Sequence, residues 1–394
     1  MSKPEIRLKG FVGEWHDTLL KDICDVNPSS NIPDVFEYVD LESVVGTSIV
    51  SHRTEKRGSA PSRAQRLAKN SDIFYQTVRP YQKNNCIYYE QGSPYVFSTG
   101  YAQLRSQICP EYLFNILQTD TFVNEVLLNC TGTSYPAINP TSLSNLKICY
   151  SDNSDEQKSI ANYFKSLDSM IQSTTKMIES LRQMKQACLV SMFPQAGETT
   201  PRLRFKGFKE EWERKSFGDL YYQNVVKNDM SFGTDNIISV ANMYFNPNSY
   251  ISDQNYLRTY NIFRLGDIAF EGNKSKNFAH GRFVENTIGE GIVSHVFDVF
   301  TPKSDKHDLY YWKYAINNER IMGPILVRCT KASTMMTNLV AKDFLKEYTL
   351  VPSYEEQKKI GSFFRILDTQ ISLQEARLEK LKQIKSACLD KMFV

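Results

Sequence analysis

One feature constrains this chain more than any other: about 200 residues of it are written twice. Arg7-Leu8-Lys9-Gly10-Phe11-Val12-Gly13-Glu14-Trp15 returns as Arg204-Phe205-Lys206-Gly207-Phe208-Lys209-Glu210-Glu211-Trp212, identical at six of nine positions. Residues 155–193 align without a gap on 355–393, with 17 of 39 positions identical. Between these anchors, 16–150 and 213–350 share only scattered phrases such as Ser71-Asp72-Ile73 beside Gly266-Asp267-Ile268. A constant frame thus carries two different inserts, which implies two related modules doing unlike work.

The frame reads as a pair of helices. Ile160, Phe164, Leu167, Ile171, Thr174, Ile178, Leu181, Lys185, Cys188 and Met192 alternate in steps of four and three. Ile360, Phe364, Leu367, Ile371, Gln374, Leu378, Leu381, Lys385, Cys388 and Met392 repeat the pattern. That spacing draws one apolar stripe along a helix and favours a coiled-coil seam. Ser154-x-x-Gln157 and Ser353-x-x-Glu356 are capping signatures for the two starts. Pro194 and Pro201 bracket the end of the first helix. The seam lysines, Lys185 and Lys385, read as stems that snorkel to the edge.

Connectivity then orders the parts. The expected division is a first domain at 1–152, a helix at 153–193, a linker at 194–202, a second domain at 203–352 and a helix at 353–394. A helix of some 36 residues is roughly 54 Å long at 1.5 Å per residue. If the second insert enters and leaves at one place, the second helix must run back antiparallel to bury its stripe. The expectation is a pseudo-two-fold α+β protein: two mixed α/β domains separated by two long antiparallel coiled-coil helices. Their separation would be one to two turns of B-DNA, at about 34 Å per turn.

Both inserts read as strand-rich. The strand signals are Val35–Val39, Ile87–Tyr89, Tyr95–Phe97, Ile237–Val240 and Ile292–Phe297. A helical stretch is expected near 110–129 and another near 308–321. Plentiful aromatics, 22 Tyr and 23 Phe, suit such cores. Basic residues gather at Arg53, Lys56, Arg57, Arg63, Arg66 and Lys69 in the first insert, and at Lys274, Lys276 and Arg282 in the second. Arg79 and Lys274 follow the shared Asp at the same offset, which marks both for phosphate contact. Loops rich in Arg, Lys, Asn and Ser touch phosphates and base edges, although any one of them also reads as an ordinary solvated loop. The phrases Cys130–Tyr135 and Cys329–Thr334 offer hydroxyls for a phosphate, or plain turns.

Catalytic signatures are missing. The sequence has no G-x-x-x-x-G-K-[ST], no G-x-G-x-x-G after a strand and no H-E-x-x-H. Asn246-Pro247-Asn248-Ser249-Tyr250 is only faintly similar to an adenine methyltransferase motif, and no cofactor loop accompanies it. Asp267 with Glu271 and Lys274 is faintly similar to a nuclease cluster, but its apolar neighbours read as a strand. The eight Cys form no C-x-x-C pair and no metal-ligand spacing. A formal charge of +3 is compatible with nucleic acid without pointing to it. No apolar run reaches membrane length and the N-terminus has no signal-like core, so a cytoplasmic protein is expected, with no membrane partner.

Three phrase pairs together resemble one family. RLKGFVGEW with RFKGFKEEW, DEQKSI with EEQKKI, and QACLVSMF with SACLDKMF are similar to the specificity subunits of type I restriction–modification systems. The resemblance covers essentially the whole chain. It implies a non-catalytic subunit in which each variable domain reads one half of a bipartite double-stranded DNA target while the helices set the gap. It further implies assembly with two methyltransferase subunits and with restriction–translocase subunits. Those partners would carry S-adenosylmethionine, ATP and Mg, and this chain none. It leaves the base-reading residues open, because inserts differ freely between members. Two other readings stay open: a coiled-coil scaffold with two protein-binding modules, and a self-contained methyltransferase or nuclease.

Overall fold

The computed structural model describes residues 3–195, 197–249, 251, 253–332 and 336–394. The chain divides into two compact units, one made of Met1–Thr175 with Ala376–Val394, the other of Lys176–Glu375. The division falls inside both long helices, Ser154–Ser191 and Tyr354–Met392. Each unit therefore holds one insert, half of the first helix and half of the second.

In both units the insert is built on the same four-stranded antiparallel sheet. In the first unit its order is Cys24–Val26, Tyr101–Ser106, Ile73–Gln76 and Cys86–Ile87. In the second it is Tyr221–Asn224, Asp298–Pro302, Ile268–Glu271 and Arg282–Glu285. The Asp of the shared phrase is fully buried in each. Asp72 accepts from the Lys69 amide and from both forks of Arg105, and Asp267 accepts from the Arg264 amide. Both are structural turn residues. Each follows a left-handed residue, Ser71 at φ 69° and Gly266 at φ 86°, as a tight hairpin entry requires.

The anticipated helices are each split in two. Pro110–Gln118 and Asp120–Leu128 meet at Thr119, whose hydroxyl caps the second. Leu309–Ile316 and Glu319–Cys329 meet at Asn318, which does the same. The strand expected across Ile292–Phe297 stops at Val293, where a turn closed by the Phe297 amide on Ser294 takes over. The first insert adds a second four-stranded sheet, ordered Arg53–Lys56, Val35–Val39, Tyr95–Ser98, Ala64–Leu67. The second insert has smaller two-stranded pieces there, Asn261–Phe263 with Gly291–Val293 and Ile238–Ser239 with Tyr244–Phe245.

The repeated phrases are the contacts that close each unit. Arg7 forks onto the buried Glu156 at 2.6 and 2.8 Å, and Arg204 onto Glu356 at 2.6 and 2.7 Å. Although burial opposes it, the guanidinium of Arg7 and the hydroxyl of Ser151 hold Glu156 below the usual carboxylate range. Gly10 and Gly207 take left-handed turns (φ 103° and 106°) that bring Trp15 and Trp212 into the cores. The helix tails supply the last piece. Phe393 packs on Phe164, Trp15 and Tyr112; Phe193 packs on Phe364, Trp212 and Tyr311.

Within each unit the two helix halves run antiparallel. Tyr163 meets Cys388 and Asp168 meets Lys385 in the first; Lys185 meets Asp368 and Arg182 meets Glu375 in the second. Of the seam residues, Ile160, Phe164, Leu167, Ile178, Ile360, Phe364, Leu367 and Leu381 are buried. Ile171, Leu181, Ile371 and Leu378 are half-buried. The lysines depart from expectation: instead of snorkelling outward, each spans the seam to an aspartate at 2.5 Å. The first helix cap also shifts. Asn153, not Ser154, accepts from the amides of Asp155 and Glu156, while Ser353 caps the second helix as expected.

One socket differs in kind. Where the first unit packs Ile87 and Ile108 against its core, the second places Glu285 and His307, hydrogen-bonded at 2.9 Å. Strand register makes Ile87 and Glu285 equivalent: each lies opposite the Ile of its shared phrase, Ile73 or Ile268. Trp312 stacks on the His307 ring and Tyr221 meets it edge-on. Burial drives Glu285 well above the carboxylate range and His307 down to about 3, so the folded pair keeps one proton over a wide span.

Two predictions follow from these contacts. Replacing Arg7 by Ala strands Glu156 in the core and should cost the first unit about 3–5 kcal/mol; Arg204→Ala should do the same to the second. Calorimetry of the intact chain should show each variant lowering the transition of its own unit, and an unchanged thermogram would refute the closing role. For the socket, an unfolded Glu–His pair holds two protons below pH 4.5, one up to 6.5 and none above. Since burial favours neutral Glu285 beside neutral His307, the pair's contribution is greatest between those values and weakens on either side. Denaturant titrations should therefore show Glu285→Ile/His307→Ile gaining on the parent both above pH 6.5 and below 4.5.

Candidate nucleic-acid interface

The basic residues singled out in the sequence fall into three groups. Arg53 and Arg282 are already neutralised. Arg53 begins the edge strand Arg53–Lys56, bonds Asp40 at 2.7 Å and Glu55 at 2.9 Å, and lies over the Tyr38 ring. Those hydrogen bonds raise its pKa further. Arg282 bonds Glu271 at 2.7 Å and the Ala241 carbonyl at 2.8 Å. A guanidinium held this way shapes a loop more than it attracts a phosphate.

Lys56, Arg57, Arg63 and Lys276 form the second group. All four are exposed, and none makes a salt bridge to another described residue. The first three lie on one connection between the two edge strands: the Ser59 and Ala60 amides bond the Lys56 carbonyl at its start, and the Arg63 carbonyl accepts from Thr99 at its end. Lys276 sits at the tip of the turn closed between Ser275 and Phe278, with the exposed Lys274 beside it. Arg66, on the opposite edge strand Ala64–Leu67, is half-buried, and its Nε is shut from solvent with no acceptor.

Arg79 stands apart. It follows the strand Ile73–Gln76 as Lys274 follows Ile268–Glu271. An isolated bridge lies beside each, Val78 with Ala137 and Asn273 with Met336. The structure thus joins the post-strand loops to the segments after the split helices, which the sequence flagged separately. Cys130–Tyr135 is a built turn: Thr131 and Ala137 exchange both backbone hydrogen bonds, and Gly132 is left-handed at φ 87°. In the second unit Cys329 ends its helix and Thr330–Ala332 is a strand; Ser333 and Thr334 lie outside the described residues, as does Tyr250 of the Asn246 phrase. Sequence reasoning missed Tyr135 as the partner of Arg79. The Arg79 guanidinium carbon lies 4.3 Å from the centroid of the Tyr135 ring, and only the proximity of the two loops in space could reveal it.

No group of three or more His, Cys, Asp or Glu among the described residues is arranged to hold a metal ion. A cavity of about 670 Å³ in the second unit is lined by Arg204, Lys215, His307 and Gln357, side chains already committed to the frame or exposed at its rim. No described helix is long and apolar enough to cross a membrane.

The frame, the duplicated sheet and the divergent inserts agree with comparison to known proteins. The model of the type I restriction modification DNA specificity domain matches twice, over residues 13–183 and 209–383. The chain belongs to that family. A curated relative, the type I restriction enzyme HindI specificity subunit of Haemophilus influenzae, is 24% identical over 195 residues, 46% of this chain. That match spans 41% of the relative's length. Among solved structures, the HsdS subunit from Thermoanaerobacter tengcongensis superposes with a TM-score of 0.53 at 21% identity, covering 100% of this chain and 99% of that one. The S subunit from M. genitalium gives 0.60 at 14% identity, again covering 100% and 99%. A chain from a study of complex assembly and conformational transition of the type I R-M system gives 0.57 at 19%, covering 96% and 97%. The fold is therefore that of type I specificity subunits.

Proposed function

We propose that this chain is the DNA-recognition subunit of a type I restriction–modification complex. The observation that carries the reading is the duplicated frame holding two unlike inserts on one common sheet. Each insert would read one half of a bipartite duplex target, and the two continuous helices, of 38 and 39 residues, would set the gap. Reading two halves on one spacer raises specificity through effective concentration, because one bound half positions the other. Lys56, Arg57, Arg63, Arg79, Lys274 and Lys276 are the proposed DNA contacts, with Arg53 and Arg282 shaping their loops.

The chemistry would belong to partners: two methyltransferase subunits using S-adenosylmethionine, and restriction–translocase subunits using ATP and Mg, all in the cytoplasm. Their docking is assigned to the exposed helix faces. In the second unit these carry Met177, Met184, Ile366 and Leu373 beside the exposed Lys176, and in the first unit the exposed cations Lys165, Arg377 and Lys382. Arg182 and Arg365 are less available, being engaged by Glu375 and the Tyr310 ring.

The deciding experiment is co-expression with the methyltransferase subunit encoded beside it, followed by sequencing of host DNA for modified bases. The expected result is methylation confined to one split motif, with one half changing when one insert is exchanged. A soluble, active complex without any motif would favour the scaffold reading. A second measurement addresses the contacts. Replacing Lys56, Arg57 and Arg63 together by Ala should weaken DNA retention by the assembled complex evenly across sequences. It should also flatten the slope of log affinity against log salt, by up to roughly 0.9 per lost phosphate contact. An unchanged slope would exclude that loop from the interface.

A further inference from the structure

The loop that bears Arg79 is unusually well braced for a surface connection. Gln76 donates through its amide to the Val78 carbonyl and to Gln82. The Gln82 amide closes on the Arg79 carbonyl and the Lys83 amide on Pro80. Lys83 is itself tied down, donating to Asp120 at 2.6 Å and to the Gln118 carbonyl at 2.8 Å. The Arg79 amide donates to the Pro136 carbonyl at 2.8 Å. In the middle of this network Arg79 adopts φ 53°, ψ 56°, a left-handed conformation that a side-chain-bearing residue adopts only when its surroundings impose it.

What the bracing presents is a guanidinium backed by an aromatic ring. Arg79 lies 4.3 Å from the centroid of Tyr135, a ring that is 63% exposed. Tyr81, 51% exposed, belongs to the same loop. Arg79 makes no salt bridge to a described residue, whereas Arg53 and Arg282 are each spent on a carboxylate. A ring beneath the guanidinium restricts where it can lie, and its N–H donors bond no described residue, which leaves them for a ligand. A loose cation suffices for a phosphate. A fixed planar fork matches the paired acceptors O6 and N7 that only guanine presents in the major groove.

We propose that Arg79, held over the Tyr135 ring, reads one guanine in the half-site recognised by the first unit. This assignment rests on the DNA-reading function proposed above. It makes Arg79 a specificity-determining residue and Tyr135 the positioning residue behind it. Arg79 thereby moves from the phosphate contact suggested by its sequence offset to a base contact.

The test uses the complete chain co-expressed with its methyltransferase subunit, and reads the modified motif by sequencing. The parent should give one split motif containing a G·C pair in the half assigned to the first insert. Arg79→Lys keeps the charge but loses the fork; it should relax that single position by about ten- to a hundredfold, leaving the other half unchanged. Tyr135→Phe should keep the motif, and Tyr135→Ala should relax the same position partially. Thermal midpoints of the variants, equal to the parent's, separate readout from folding. A uniform fall at all positions would make Arg79 a phosphate contact and overturn the proposal, as would an unaltered motif in Arg79→Lys. A parent complex that modifies no split motif would sink the underlying function instead, and the two failures are thereby distinguishable.

Discussion

The structure depends on a buried fork. In each unit an arginine from the segment before the insert grips a glutamate at the start of the helix after it, Arg7 on Glu156 and Arg204 on Glu356. The insert is a long excursion between two points that this contact ties together. Its ends are fixed, so its interior is free to vary, which is what a family of readers needs. The neighbouring glutamines repeat the logic. Gln157 accepts from the Cys109 amide and donates to the Ser151 carbonyl; Gln357 makes the equivalent bonds to Asp308 and Pro352. A side chain that binds backbone on both sides holds position without dictating the sequence it touches.

The helices then do two jobs at once. The first half of each helix joins the last half of the other in sealing a core, Phe164 with Phe393 in the first unit and Phe364 with Phe193 in the second. Between the apolar layers, Lys185–Asp368 and Lys385–Asp168 add a directional contact to the seam. Ion pairs at such half-exposed places add little stability, but they disfavour slipped registers that would leave a charge against the stripe.

The frame was legible because it is repeated. Identical residues separated by 200 positions marked the anchors before any contact was known, and the apolar spacing gave the helices. The partners of the seam lysines were not legible, because Asp168 and Asp368 are ordinary helix residues until the opposite helix is in place. Asn153 displaced Ser154 as a cap by one residue, a difference that depends only on where the chain turns. The inserts resisted most. The shared sheet was announced by a single phrase, Asp72 with Asp267, since strands held by backbone bonds tolerate almost any side chain. The loops bearing Arg79 and Tyr135 recur in the second unit only in outline, with Lys274 in place of Arg79, so the Arg79–Tyr135 contact left no trace in the pattern.

The Glu285–His307 socket limits how the two inserts can be recombined. Its apolar counterpart spans Cys24, Ile87, Ile108 and Leu113, four positions drawn from two strands, a loop and a helix. In the second unit the same places hold Tyr221, Glu285, His307 and Trp312. A chimera joined inside this interval would set an isoleucine against a buried imidazole, or a carboxyl against a methyl group. Either mismatch leaves a polar atom with no partner in a dry core. Crossovers placed at the frame, before Trp15 or Trp212 and after the split helices, carry all four residues across together. The natural unit of exchange is thus the entire insert, and its borders are drawn by a proton shared between two buried side chains.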